Sequence, residues 1–184
     1  SAKLNEMVIS TWSQILQKVP HSKLILKSRV FVSQKTVSNL LEKFERCGIS
    51  QERLIFKEHV PSIIEHMTSY KDIDISLDPF PFNGHITTLE SLWMGIPVLT
   101  LLGTHGFGRI SASFLYFMKL KELVGTDIQD YIEKSINISS NIFKIENYRK
   151  NLRQIMRSSI MCNPAQYTSN IEKAYVQVYQ EYLA

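Results

Sequence analysis

Four side chains in the stretch Asn83-Gly84-His85-Ile86-Thr87-Thr88-Leu89-Glu90 bring a ring N–H, two hydroxyls and a carboxylate close together. His85 can donate to an anion, and Thr87 and Thr88 can donate to phosphate oxygens. Glu90, one helical turn further on, can accept from a ribose diol. The same spacing has a purely structural meaning. Thr87-x-x-Glu90 fits a capping box, in which both side chains only satisfy backbone N–H groups. A lone histidine such as His85 also often serves only structure. Spacing alone leaves these alternatives open.

The elements around the stretch favour a ligand site. Asp72-Ile73-Asp74-Ile75-Ser76-Leu77 alternates polar and apolar residues, which predicts a strand over Ile73–Leu77. Thr87 through Met94 reads as a helix, stopped by Gly95 with Pro97 beyond it. A loop stiffened by Pro79 and Pro81 joins the two. Where a strand feeds a loop that opens a helix, free N–H groups and the positive end of the helix dipole converge, and phosphates bind there.

The rest of the chain repeats this alternation. Asn5 is placed to cap a helix carrying Val8, Ile9, Trp12, Ile15, Leu16 and Val19 on one face, ended by Pro20. Leu24-Ile25-Leu26 follows as a short strand. Ser33 opens a helix that Gly48 closes, and Leu54-Ile55-Phe56 is the next strand. Pro61 suits the first position of a short helix from Ser62 to Tyr70. Val98 to Leu101 is apolar enough to be a strand covered on both faces. A second glycine-bearing loop, Gly103 to Gly108, leads into a helix opening at Arg109. Three helices then complete the chain, at 126–140, 145–158 and 165–182. The last carries an apolar stripe of Ile171, Ala174, Tyr175, Val178 and Tyr179. Such alternation with short connections predicts an α/β fold, a parallel sheet flanked by helices.

Composition excludes several classes. The 184 residues, 44% of them hydrophobic, suit one domain with its own core. The 21 basic residues are spread without a dense run and the net charge is +4, so no nucleic-acid partner is implied. A mildly basic balance agrees with an anionic small ligand. Cys47 and Cys162 form no redox or metal motif, and His59, His66 and His85 lack ligand spacing, so no metal is expected. No apolar run reaches about 18 residues and no secretory signal opens the chain, which points away from a membrane and toward the cytoplasm.

The ordered words Asp78…Asn83-Gly84-His85…Thr87-Thr88…Glu90-Ser91-Leu92-Trp93-Met94-Gly95-Ile96-Pro97-Val98-Leu99-Thr100 resemble the nucleotide-sugar-binding segment of the protein O-GlcNAc transferase family. The resemblance runs from Lys3 to the final helix. It implies that residues 1–184 form one Rossmann-like domain, the C-terminal lobe of a GT-B glycosyltransferase, which holds a UDP-sugar without a metal cofactor. The donor implied is UDP-GlcNAc or a related UDP-sugar. The acceptor would be a protein hydroxyl, reached through an N-terminal lobe and tetratricopeptide repeats outside this chain.

The resemblance also assigns roles. Lys3 and His85 would stabilise the departing diphosphate, with Thr87, Thr88 and the Ile86 N–H beside them. His66 would stack on uracil, whose edge the backbone near Val60-Pro61 would read. Glu90 would take the ribose. Arg109 would stand near the cleft, unless it pairs with an acidic neighbour and merely orders its loop. Ile86 replaces a threonine of animal members and Glu90 a shorter Asp of many members, so the sugar is less well defined than the nucleotide. An inactive nucleotide-sugar-binding module is the alternative from another class. In this fold the terminal helix commonly crosses to the other lobe, so its stripe is expected to be partly exposed.

Overall fold

The computed structural model of the chain describes residues 3–184. Its first half runs α1 (Glu6–Lys18), β1 (Leu24–Lys27), α2 (Gln34–Arg46), β2 (Leu54–Lys57), α3 (Ile63–Thr68), β3 (Ser76–Leu77) and α4 (Ile86–Trp93). Next come β4 (Val98–Leu101), α5 (Ile110–Phe117), β5 (Val124–Gly125), α6 (Ile128–Ser139), α7 (Ile142–Arg157) and α8 (Pro164–Leu183). Every strand pairing is parallel, as short alternating connections require.

Helix starts follow cap chemistry. The Asn5 side chain accepts from the Val8 N–H and opens α1, whose apolar period turns Val8, Ile9, Trp12, Ile15 and Leu16 inward. Ser33, Ser62, Asp127, Asn141 and Asn163 do the same for α2, α3, α6, α7 and α8. The other two α-helices, α4 and α5, begin without a capping side chain. Since Ser62 is the cap of α3, Pro61 stands before the cap and not at the first helical position.

The expected single sheet is divided. β1 and β2 make one ladder, from Leu24 opposite Leu54 to Lys27 opposite Lys57; β3, β4 and β5 make the other. The strand expected over Ile73–Leu77 is reduced to Ser76 and Leu77. Arg149 explains the loss: its guanidinium takes the Ile73 carbonyl and pairs with Asp74 at 3.6 Å, removing both from the ladder. β5 is a two-residue strand, too short to carry a periodic signal.

The core lies between the second ladder and the helices around it. Leu92, Leu99, Leu115, Leu123, Tyr131 and Leu152 are fully buried. Tyr131 is also the core's polar tie. Its hydroxyl accepts from Trp12 Nε1 at 3.1 Å and donates to the Asp78 carbonyl at 3.3 Å, joining α6 and α1 to the end of β3. Burial pushes this phenol above its usual range, so it keeps the proton it donates. Along α8 no residue is buried, and Tyr175, Val178 and Tyr179 of the stripe are open. Among the described residues, no helix is long and apolar enough to cross a membrane.

Candidate functional site

The loop after β3 is closed by one carboxylate. Asp78 is buried, with Oδ1 accepting from the Gly84 N–H at 2.6 Å and Oδ2 from the Thr100 hydroxyl at 2.7 Å. Residues 79–83 are therefore cinched between β4 and the start of α4. Burial pushes the Asp78 carboxyl up from its ordinary value. Hydrogen bonds from Thr100 and Gly84, the nearby Ser111 hydroxyl and the charge of Lys3 oppose that rise without cancelling it. Within the loop, the Asn83 N–H donates to the Phe107 carbonyl at 3.3 Å, tying it to the second glycine-bearing loop. Phe82 and Phe107 stack across the junction with centroids 5.5 Å apart.

Lys3 reaches this loop from the far end of the sequence. Its ammonium donates to the Asn83 carbonyl at 2.7 Å and lies 4.7 Å above the Phe82 ring. That contact sets a cation two residues from His85 along the chain.

The two uncapped helices start side by side. Thr88 on α4 and Ser111 on α5 place their hydroxyls 2.9 Å apart, and Ser111 donates to the Gly84 carbonyl at 3.3 Å. Thr88 is buried in that contact, so it fastens the two helix starts together and does not face outward as the sequence suggested. His85, Ile86 and Thr87 are exposed. His85 is the cap residue of α4 but makes no cap bond; its ring stacks on Phe114 of α5, 6.0 Å away and inclined by 8°. Thr87 lies inside the first turn of α4, so the capping box Thr87-x-x-Glu90 does not form.

Glu90 has other partners. Its Oε2 lies 3.0 Å from His66 Nε2 and accepts from the Tyr70 hydroxyl at 3.2 Å. Burial, and then the Glu90 charge, push the Tyr70 phenol up to about 12, so it remains a donor. Both bonds fall on Oε2, while Oε1 has no hydrogen-bond partner among the described residues. His66 meets Tyr70 edge to face, with centroids 5.5 Å apart, and keeps 23% of its side chain exposed. Two residues expected to act separately on base and ribose are thus joined.

Arg109 bonds back to the glycine-bearing loop before it. Its Nε donates to the Gly103 carbonyl at 3.0 Å, and no ion pair engages it among the described residues. Sequence reasoning missed Asp78, Tyr70, Thr100 and Ser111, which hold the constellation. Asp78 and Thr100 are the two ends of the quoted motif, and nothing there marked them as the pair that anchors the loop. Among the described residues, no group of three or more His, Cys, Asp or Glu is arranged to hold a metal ion. A cavity of about 510 Å³ opens beside the two loops, lined by Asn5, Pro81, Gly103, His105 and Phe107 among others. A second, of about 590 Å³, lies between α6 and α7, lined by none of the predicted site residues.

Comparison with known proteins places the chain among glycosyltransferases. The model of glycosyl transferase family 41 matches residues 2–171. The probable UDP-N-acetylglucosamine–peptide N-acetylglucosaminyltransferase SPINDLY of Petunia hybrida is 35% identical over 98% of this chain and 19% of its own length. The UDP-N-acetylglucosamine–peptide N-acetylglucosaminyltransferase of Caenorhabditis elegans is 26% identical over 98% of this chain and 15% of its own. A solved mutant O-GlcNAc transferase from Thermobaculum terrenum superimposes with a TM-score of 0.89 at 31% identity, covering 98% of this chain and 34% of that one. The chain spans about a fifth of the length of the curated relatives it matches.

Proposed function

The chain belongs to glycosyl transferase family 41, and from that premise we propose that it is the lobe that holds the nucleotide-sugar donor, UDP-GlcNAc, in an inverting protein O-GlcNAc transferase. The fold is the C-terminal lobe of a GT-B enzyme. The observation that carries the proposal is the pair of adjoining helix starts without capping side chains, with Lys3 and His85 beside them. Elsewhere in the described residues an α-helix start is neutralised by its own cap. Here the N–H groups and dipole ends remain for an anion, and a diphosphate is the anion a UDP-sugar brings.

The chemistry follows from that placement. A Ser or Thr hydroxyl of the acceptor attacks the anomeric carbon from the face opposite the diphosphate. The carbon–oxygen bond to the diphosphate breaks, and the hydroxyl proton passes to a base or to water. Negative charge grows on the departing UDP. Lys3, His85, the Thr87 hydroxyl and the first N–H groups of α4 stabilise it without needing to reorganise. His66 and Glu90 hold the nucleoside, the imidazole face against uracil and Glu90 Oε1 toward the ribose hydroxyls. The acceptor and the base belong to the part of the enzyme outside this chain, so reacting groups are not aligned by this lobe alone. Cytoplasmic location and a repeat-bearing partner segment belong to the same proposal.

Calorimetry with UDP, uridine and pyrophosphate separates the roles. His66→Ala should weaken UDP and uridine alike by about 1–3 kcal/mol, the range of base–aromatic stacking, and leave pyrophosphate unchanged. Glu90→Ala should weaken UDP more than 2′,3′-dideoxy-UDP. Equal losses for the two nucleotides would remove Glu90 from the ribose, and unchanged uridine affinity would remove His66 from the base.

A further inference from the structure

Lys27 is the last residue of β1 and stands opposite Lys57 in the ladder. Lys57 is paired with Asp72 at 2.8 Å, so its charge has a partner. Lys27 has no carboxylate within ion-pair distance among the described residues. Its half-buried ammonium lies 3.0 Å from His66 Nδ1 and donates to the Ser69 hydroxyl at 3.1 Å. Ser69 in turn donates to the His66 carbonyl at 2.7 Å.

An ammonium has donors and no acceptor. With Lys27 charged, His66 Nδ1 must therefore accept, and the ring proton must sit on Nε2. Nε2 is the nitrogen 3.0 Å from Glu90 Oε2, so it donates there. The sequence of bonds is directional: Lys27 to His66, His66 to Glu90, with Tyr70 donating to the same Glu90 oxygen. A doubly protonated His66 would lose the Lys27 bond, and the opposite tautomer would set a proton against the ammonium and a lone pair against the carboxylate. Burial, and then the neighbouring Lys57, pull the Lys27 ammonium below its ordinary pKa, and Glu90 opposes them.

We propose that Lys27 is a positioning residue of the nucleoside site: it fixes the tautomer and orientation of His66 and, through His66, holds Glu90 with Oε1 toward the ligand. This rests on the assignment of His66 and Glu90 to the nucleoside. Lys27 itself touches neither base nor ribose. Its action parallels that of the outer partner of a metal-ligating imidazole, whose loss typically costs about 10–100-fold in metal affinity or activity.

The test has two arms. Nitrogen-15 spectra of the His66 ring report the tautomer in the ligand-free chain. The proton should sit on Nε2 in the unaltered chain, Lys27→Met should give a mixture, and Lys27→Arg, which keeps a cationic donor, should restore the single form. UDP calorimetry forms the second arm. Lys27→Met should lower affinity about tenfold, at the lower end of that range, and have no further effect when His66 is already Ala. Circular dichroism of each variant establishes that it is folded, and Ser69→Ala, which removes the second acceptor of Lys27 and the hydroxyl donor to the His66 carbonyl, serves if Lys27→Met does not fold. An unchanged tautomer in Lys27→Met, or an equal loss of affinity with and without His66, would overturn the proposal. If the unaltered chain binds no UDP, the donor-site assignment fails instead, and the tautomer arm still decides whether Lys27 sets His66.

Discussion

Replacing Asp78 by alanine should destabilise the chain by about 3 kcal/mol and abolish measurable UDP binding. The buried carboxylate satisfies the Gly84 N–H and the Thr100 hydroxyl at 2.6 and 2.7 Å. Removing it leaves two buried donors unmet, each costing roughly 1–3 kcal/mol, offset in part by the charge that need no longer be buried. The functional loss has a separate cause. Residues 79–83 are cinched by that side chain, and His85 with the first N–H groups of α4 takes its place from the end of the loop. Asp78→Asn should fare better on stability, since its amide oxygen can still accept from Gly84 and Thr100 can turn to accept. Urea unfolding of the two variants beside calorimetry checks both halves. A chain with Asp78→Ala that is as stable as the original would remove the loop's anchor from the account.

Gly84→Ala should produce a comparable loss by crowding. A methyl group at Gly84 would collide with Thr88 Oγ1 and lie 2.9 Å from Asp78 Oδ1 and 3.1 Å from Thr87 Oγ1. Neither of the first two can yield freely, because Thr88 is held by Ser111 at 2.9 Å and Asp78 by Gly84 and Thr100. Overpacking of this kind costs about 1–3 kcal/mol, and the broken Thr88–Ser111 contact adds to it. The mechanism predicts its own partial rescue. Removing the colliding atom, in Gly84→Ala with Thr88→Ala, should recover stability relative to Gly84→Ala alone. If the second substitution only adds to the damage, the collision is not the cause.

These two residues show what the chain disclosed before its structure. Local signals with a fixed period or a side-chain cap were legible: Asn5, Ser33 and the turn at Gly95 set helix bounds within a residue or two. Long-range bonds were not. Arg149 takes the Ile73 carbonyl from 76 residues away and shortens a strand whose alternation was otherwise clear. Two-residue β5 has too little sequence to carry a period. At the site, His85, Thr87 and Lys3 stand around one loop. Thr88 carries the expected hydroxyl but turns it to Ser111, and Glu90 commits one of its two oxygens, Oε2, to His66 and Tyr70. A hydroxyl's direction depends on which helix packs beside it, and Ser111 lies 23 residues downstream. The capping box failed for a related reason. His85 ends the loop two residues before the spacing rule placed the cap, which put Thr87 inside the helix and freed Glu90 for His66.

The central claim is that the paired starts of α4 and α5 receive the diphosphate of a UDP-sugar. Amide chemical-shift mapping during a UDP titration tests it most directly. The largest shifts are predicted for the backbone N–H groups of Gly84, His85, Ile86 and Thr87 and for the first turn of α5. Uridine should shift the surroundings of His66 and Glu90, and pyrophosphate only the helix starts. Saturating UDP that leaves the amides of residues 84–87 unmoved, or that shifts instead the cleft between α6 and α7 around Tyr148 and Asn151, would contradict the account.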